Sequence, residues 1–179
     1  IRLVRYEGRE PEEYDQSEKV IEYGDMVEFL NRRRSCRLFV GERLDEDEVA
    51  KLFEAVRNTP TAMNSMGVEY VLLTDRMPDF LRHIARILEP ERDRFPRIDQ
   101  FCSMEDPGRL GRHPLIWDAT QAILAFSEVP ADSVIAMGRI EMAAYTMGLG
   151  GFYSLWIQKA DEVDHEALMD FFPDVPRSK

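Results

Sequence analysis

Cysteines and long apolar stretches are both scarce in this sequence. The two cysteines, Cys36 and Cys102, cannot form a disulfide framework, and neither has a neighbour at metal-ligand spacing. A reducing, cytoplasmic setting and no bound metal are therefore predicted. No segment approaches the roughly 20 apolar residues that cross a bilayer, and no signal peptide stands at the start, so we expect neither membrane insertion nor export.

Basic residues are outnumbered as well. The chain has 23 lysines and arginines against 34 aspartates and glutamates, which gives a net charge of -11. Such a field repels polyanions and argues against a general nucleic-acid-binding or anionic-membrane-binding protein. The 179 residues, 44% of them apolar, are enough for one buried core. We expect one domain over residues 25–179, preceded by a polar arm or linker over residues 1–24.

Hydrophobic spacing and turn residues predict an α+β fold. Capping residues and helical periodicity indicate five helices: one from 25 into the arginines, then 45–56, 78–90, 133–147 and 164–172. Runs of β-branched and aromatic residues indicate three strands, at 68–73, 122–127 and 150–157. Helices flanking a few strands form an α+β sandwich.

Two segments carry more specific expectations. The helix over 133–147 is apolar nearly all round, so we expect it to be buried, and Gly148 is placed to end it. Residues 90–114 are rich in proline and charge, which predicts an irregular loop. Loops of this length often cover a functional site.

A dense cluster of arginines is the first candidate site. Arg32 to Arg34 are followed by Ser35 and Arg37 in a chain that is acidic overall. Two guanidinium groups ~6 Å apart repel by roughly 0.7–2.8 kcal/mol, so such a cluster is unfavourable unless an anion compensates it. Arginine forks and a serine hydroxyl suit phosphate oxygens. The alternative is a solvated helix end whose arginines pair with Glu28 or Glu42.

Two loops supply further candidates. Pro60-Thr61-x-x-Asn64 offers hydroxyl and amide groups on a turn, which suit the polar edge of a small molecule but are also ordinary loop chemistry. Residues 148–151 read Gly-Leu-Gly-Gly, which lacks the spacing of a dinucleotide fingerprint and is typical of a helix end. Glycines there would also let the backbone approach a flat ligand closely.

The order and spacing of these segments resemble the nitroreductase family of flavin enzymes. The matching segments are 33–39, 45–56, 59–65, the strand ending Leu73-Thr74-Asp75, and 140–153. The middle, from 78 to 114, matches poorly, as expected for a variable loop region. The version Thr61-x-x-Asn64-Ser65-x-x-Val68-Glu69-Tyr70 looks closest to members fused to an iron–sulfur, ferredoxin-like domain.

The resemblance implies a fold and an activity. The fold would be a nitroreductase-like three-layer sandwich, with a central, mostly antiparallel sheet flanked by helices, in a homodimer that binds FMN at the subunit interface. Electrons would pass from NAD(P)H or a reduced ferredoxin-like partner to a small oxidised acceptor such as a nitro compound or a quinone. The flavin would carry the chemistry, so no catalytic side chain and no metal are implied.

The resemblance also assigns cofactor contacts to ten positions of this sequence. The FMN phosphate would be held by Arg33, Arg34, Ser35 and Arg37. The ribityl chain and ring edge would meet Pro60, Thr61 and Asn64. The flavin N5 face would be approached by the backbone of Tyr153, Ser154 and Leu155.

Two departures from the family pattern favour a second hypothesis. Where the family usually continues Gln-Pro-Trp after the asparagine–serine pair, this chain has Met66-Gly67-Val68, and the sequence ends at Lys179 without the family's last strand and its basic residues. The alternative is therefore a flavin-binding or empty scaffold that acts as an interaction or sensing module without catalysis.

Overall fold

The computed structural model describes residues 21–179, which divide between Arg33 and Arg34 into two units. Most of the predicted arm therefore lies outside the described residues. In its described part the first unit consists of helix α1, Tyr23–Arg32, which buries none of its residues. Arg32 pairs with Glu28 one turn back. For Arg32, the predicted alternative of a solvated helix end that pairs with Glu28 is confirmed.

The second unit contains six helices and two strands. The helices are α2 Glu46–Val56, α3 Met77–Leu88, α4 Pro96–Cys102, α5 Pro130–Thr146, α6 Leu155–Val163 and α7 His165–Met169. The strands are β1 Glu69–Leu73 and β2 Ala122–Phe126, and single 3-10 turns lie at Ala62–Asn64 and Glu89–Glu91. No helix in residues 21–179 is both long enough and apolar enough to cross a membrane.

Local signals set the ends of several helices. At the start of α2, the Asp45 carboxylate accepts from the Glu48 N–H at 2.8 Å and the Asp45 N–H donates to the Glu48 carboxylate at 3.0 Å, which confirms the predicted capping box. Asp164 caps α7 by accepting from the Ala167 N–H at 2.9 Å. Gly148 follows α5 with a φ of 74°, a conformation that glycine adopts without strain.

The two strands pair in antiparallel fashion and separate two apolar clusters. Val71 lies opposite Leu124 and Leu73 opposite Ala122, so these residues share one face of the sheet, which packs on the larger cluster. The larger cluster contains seven residues of α3 and parts of α4, α6, α7 and the segment 171–175. The other face carries Tyr70 and Ile123 and packs on the smaller cluster, between α2 and α5. Successive side chains of a strand point to opposite faces of the sheet, so apolar residues lie on both faces. Helices therefore pack on both sides of the sheet.

The predicted third strand at 150–157 is wrong. Residues 151–154 pair with no strand among the described residues, and Leu155 begins helix α6. The helix packs against the larger cluster through residues at helical spacing: Trp156, Ile157, Ala160 and Val163. Burial of this face overrides the strand propensity of residues 152–157.

Two further expectations need correction. Within the supposed irregular loop 90–114, Pro96 opens α4, which buries Ile98 and Phe101 one turn apart. Helix α5 is apolar, but of its 17 residues only Asp132, Ala136 and Ile140 are buried. Met137, Ala143 and Ala144 are partly buried against the smaller cluster. Val134, Ile135 and Met142 face outward, because α5 packs on one side only, against α2 and β2.

Candidate cofactor-binding site

The segment from Ser35 to Arg37 docks against the glycine turn that follows α5. The Cys36 N–H donates to the Gly151 carbonyl at 2.9 Å. Gly150 lies so close that a Cβ added there would stand 2.7 Å from the Cys36 Cβ and 2.8 Å from its Sγ. Two segments far apart in sequence, both predicted to contact one cofactor, therefore meet directly in the fold.

Ser35 and Arg37 present their polar groups outward from this junction. The Arg37 guanidinium lies 5.5 Å from the ring centre of Phe152 and 6.0 Å from that of Trp117. Among residues 21–179, Arg37 has no carboxylate within 4.0 Å and the Ser35 hydroxyl has no hydrogen-bond partner. A cationic fork and a hydroxyl that are both exposed, with no hydrogen bond to residues 21–179, fit the oxygens of a phosphate group.

Cys36 itself is half-buried between these two side chains. Its thiol donates to the Leu38 carbonyl at 3.1 Å, and its Cβ packs on Gly150. Packing of this kind is a structural role for Cys36. The described residues contain no group of three or more His, Cys, Asp or Glu side chains that could hold a metal ion.

The three residues expected near the flavin ring lie just beyond the glycine turn. The Tyr153 hydroxyl donates to the Glu141 carboxylate of α5 at 3.3 Å, and the Ser154 hydroxyl donates to the Leu115 carbonyl at 3.2 Å. Leu155 is the first residue of α6 and is 69% exposed. These bonds fix the backbone of 151–154 against both α5 and the 113–117 loop.

The Pro60–Asn64 loop is held by a buried carboxylate. The Ala62 N–H donates to both oxygens of Asp132, at 3.0 and 3.1 Å, and the Thr61 hydroxyl accepts from the Met66 N–H at 2.9 Å. Met63 and Asn64 have φ values of 53° and 55°, a left-handed conformation uncommon for residues other than glycine. Pro60 and Asn64 are exposed, so the loop offers polar groups to a ligand from a fixed backbone.

A surface pocket of about 330 Å³ opens beside this loop, between α2 and β1. Thr59, Thr61, Met66 and Tyr70 line it together with residues of α2. Burial raises the pKa of Tyr70, while the nearby Thr59 side chain and the charge of Arg139 act in the opposite direction. The phenol is therefore neutral at physiological pH.

The two halves of the predicted site contact α5 at different levels. The Pro60–Asn64 loop bonds to Asp132 in the first turn, whereas Tyr153 bonds to Glu141 nine residues later, about 13 Å further along the helix axis. Ser35, Arg37 and Tyr153 thus belong to one group, joined by the contact of Cys36 with the glycine turn. Arg33, predicted beside them, is the half-exposed last residue of the first unit.

Sequence reasoning missed two residues that shape the site. Asp132 anchors the Pro60–Asn64 loop although it stands in another element, and its only signal was an acidic residue in the first turn of a helix. Trp117 supplies a ring beside Arg37 from just beyond residues 78–114, the segment that matched the family poorly. A tryptophan three residues after the proline-rich and charged stretch 90–114 was a usable signal, since such residues often lie at binding surfaces.

The geometry places an exposed serine and arginine beside a glycine turn on a two-sided α+β fold, and a comparison with known proteins gives the family. Residues 30–173 match the Nitroreductase family, and the chain belongs to that family. The FMN reductase (NAD(P)H) of Bacillus subtilis (strain 168) is 22% identical over 131 residues, covering 70% of this chain and 52% of the relative. The chain thus spans about half the length of the curated relative it matches.

Solved structures show the same fold. A nitroreductase with bound FMN from Bacteroides fragilis NCTC 9343 aligns with a TM-score of 0.70 at 16% identity, over 86% of this chain and 82% of that chain. An FMN-dependent nitroreductase from Clostridium difficile R20291 aligns with a TM-score of 0.55 at 18% identity, over 86% and 80%. The predicted family and its α+β fold are confirmed.

Proposed function

We propose that the chain is an FMN-dependent oxidoreductase that passes electrons from NAD(P)H, or from a reduced ferredoxin-like partner, to a small oxidised acceptor such as a nitro compound or a quinone. Membership of the Nitroreductase family supports this, as does the name of the matching relative, an FMN reductase. The carrying observation is the docking of Ser35–Arg37 on the glycine turn, through the 2.9 Å bond from Cys36 to Gly151.

The donor set at this junction suits the FMN phosphate. Arg37 contributes a guanidinium without a carboxylate partner in the described part of the chain, and Ser35 contributes a hydroxyl. Each charge-assisted hydrogen bond to a phosphate oxygen adds about 1.5–3 kcal/mol. Arg33 and Arg34 directly precede Ser35 in the sequence, and we assign them to the same phosphate.

The remaining predicted residues would orient the ring system. The backbone of Tyr153, Ser154 and Leu155 is fixed by side-chain bonds to α5 and to the 113–117 loop, so it can approach a flat ligand without rearranging. Pro60, Thr61 and Asn64 would meet the ribityl chain and ring edge from a loop anchored on Asp132. When bound, FMN supplies the hydride and electron transfer; the chain supplies position and charge.

We also propose that the functional form is a homodimer with the three-layer architecture of its family. Val134 is 70% exposed, Ile135 44% and Met142 39%, which makes α5 an apolar surface rather than a buried helix. A second copy that covers this surface would remove apolar area from water. It would also enclose a ligand that a single chain leaves open to solvent.

The test is reconstitution with FMN followed by reduction. Purified protein incubated with FMN and passed over a desalting column should retain the flavin absorption bands. Under anaerobic conditions these bands should bleach with NADH, NADPH or a reduced ferredoxin, and return on addition of a nitro compound or a quinone. Protein that retains FMN yet is reduced by none of these donors would favour the non-catalytic module instead.

Arg37→Gln tests the phosphate assignment. We expect FMN affinity to fall by about 1.5–3 kcal/mol, roughly ten- to hundredfold, because a charged phosphate partner is lost. Arg43→Gln is the matched control, since it removes the same charge from an arginine that pairs with Asp75. Equal FMN affinity in Arg37→Gln and in the wild type would remove Arg37 from the site.

A further inference from the structure

Trp117 brings a second arginine to the neighbourhood of Arg37. The guanidinium carbon of Arg97 lies 4.8 Å from the centre of the Trp117 ring, and that of Arg37 lies 6.0 Å from the same centre. Arg97 comes from the first turn of α4, in the stretch that matched the family poorly. Its guanidinium also donates to the Pro114 carbonyl at 3.1 Å, which fixes it against the loop that carries Trp117.

Many arginines of this chain pair with carboxylates, whereas Arg37 and Arg97 pair with none in the described residues. The described arginines that lie within 4.0 Å of a carboxylate include Arg32, Arg43, Arg57, Arg82, Arg92, Arg94 and Arg177. Among residues 21–179, Arg37 and Arg97 have no such partner. In a chain with a net charge of -11, two neighbouring guanidinium groups without carboxylates form a local positive site that an anion would neutralise.

The loop that presents Trp117 is held in a costly conformation. Trp117 has a φ of 55°, a left-handed conformation that is uncommon and unfavourable for a bulky residue. Two backbone bonds with His113, at 2.8 and 3.0 Å, keep it there. The fully buried His113 ring also accepts from the Leu115 N–H at 3.1 Å and donates to the Pro107 carbonyl at 3.0 Å. Strain of this kind, fixed by a buried anchor, is typical of functional sites.

We propose that Arg97 is a further anion-binding residue of the flavin site and that Trp117 is the positioning residue that holds Arg37 and Arg97 toward one phosphate group. The indole ring attracts both cations through its π face and keeps their long side chains in place. The N–H groups of Arg37, and those of Arg97 that do not bond to Pro114, stay available to the ligand. The proposal rests on the proposed function, because it names additional residues for the phosphate of the same cofactor.

The experiment compares FMN with riboflavin, which lacks the phosphate, by fluorescence titration of the full chain. Arg97→Gln should weaken FMN binding about tenfold and leave riboflavin binding unchanged. Trp117→Leu should weaken FMN binding about two- to fivefold, and Trp117→Phe, which keeps an aromatic ring, should recover most of that loss. Arg94→Gln is the matched control: it removes an arginine that pairs with Glu91, and its ratio of FMN to riboflavin affinity should equal that of the wild type.

The outcomes separate the inference from the function. If the wild type binds FMN more tightly than riboflavin and Arg97→Gln and Trp117→Leu leave that preference intact, Arg97 and Trp117 have no role at the phosphate while the proposed function stands. If both variants weaken FMN and riboflavin equally, the two residues are structural and the inference fails. If the wild type binds neither flavin, the proposed function fails and the inference with it. Inorganic phosphate should compete with FMN in the wild type and less well in Arg97→Gln.

Discussion

Helices α3 and α5 are both rich in apolar residues, yet they use them in opposite ways. Seven of the 12 residues of α3 are buried in the larger cluster, and its exposed side is charged. Helix α5 buries three of its 17 residues and exposes apolar side chains such as Val134 and Ile135. The chain therefore completes its own core around α3 and leaves the α5 side incomplete. The Pro60–Asn64 loop of the candidate site is anchored on that incomplete side, through Asp132.

Removal of a core side chain from α3 should give the largest effect. Phe80 is fully buried, with ring centres of Phe171 and Phe172 at 5.2 and 5.4 Å. We expect Phe80→Ala to lower the free energy of unfolding by about 3–5 kcal/mol, because the cavity cannot close fully. Urea unfolding measures this loss. A loss within about 0.5 kcal/mol, as for a surface substitution, would show that the α3 side is not the main source of stability.

Loss of the loop anchor should give an intermediate effect. In Asp132→Ala the Ala62 N–H loses both oxygens that it now contacts, and we expect a cost of about 1–3 kcal/mol in urea unfolding. Asp132→Asn keeps one acceptor oxygen and is the matched control, with a smaller loss. FMN affinity should fall in Asp132→Ala, because the Pro60–Asn64 loop is no longer fixed. Equal stability of both variants would mean that this bond does not hold the loop.

Two histidines on the α3 side of the sheet, His113 and His165, have shifted pKa values, so the stability of that side should depend on pH. Hydrogen bonds to the Arg177 carbonyl and then to Asp161 raise the pKa of His165 above its ordinary 6.5, so its contribution is complete below pH 6.5 and is lost as pH rises through the raised pKa. Burial lowers the pKa of His113, so its contribution is complete above pH 6.5 and is lost as pH falls through the lowered pKa.

The two histidines can be separated by one variant. Wild type and His165→Asn are unfolded in urea from pH 5.5 to 8.5. The loss of stability at the alkaline end should disappear in His165→Asn, while the loss at the acid end, due to His113, should remain. If both proteins lose the same amount of unfolding free energy at the alkaline end, the hydrogen bonds of His165 to Arg177 and Asp161 contribute nothing to stability.

The smallest change in stability should come from the exposed face of α5. Val134→Ser alters a residue that is 70% exposed, so we expect the unfolding free energy of the monomer to change by no more than about 0.5 kcal/mol. Self-association should weaken, because apolar area is lost from the proposed subunit interface. Sedimentation over a range of protein concentrations measures this. An unchanged association constant in Val134→Ser would place the dimer interface elsewhere.

Local signals in the sequence predicted much of the fold. The capping box at Asp45, the glycine end of α5 at Gly148 and both paired strands depend on short-range patterns, and the structure confirms them. The strand predicted at 150–157 and the buried state of α5 were wrong, because they depend on what packs against these residues. Periodicity describes which residues are apolar and not which partner covers them.

Less of the candidate site than of the fold could be predicted from local patterns. Ser35, Arg37 and Tyr153 come to one place because Cys36 bonds to Gly151, a contact that follows the family resemblance and not any local pattern. Asp132 and Trp117 carried no motif, since their roles depend on loops that only the folded chain brings to them. The cofactor contacts of the ten predicted residues stay predictions.

The close approach of Gly150 to Cys36 has a consequence for how this protein can change over evolutionary time. Any side chain at position 150 would collide with the Cys36 side chain, so a larger residue there requires a smaller one at position 36. Homologues should therefore show correlated variation between these two positions. Substitutions in the segment 35–37 and in the glycine turn 148–151 are therefore not independent of each other.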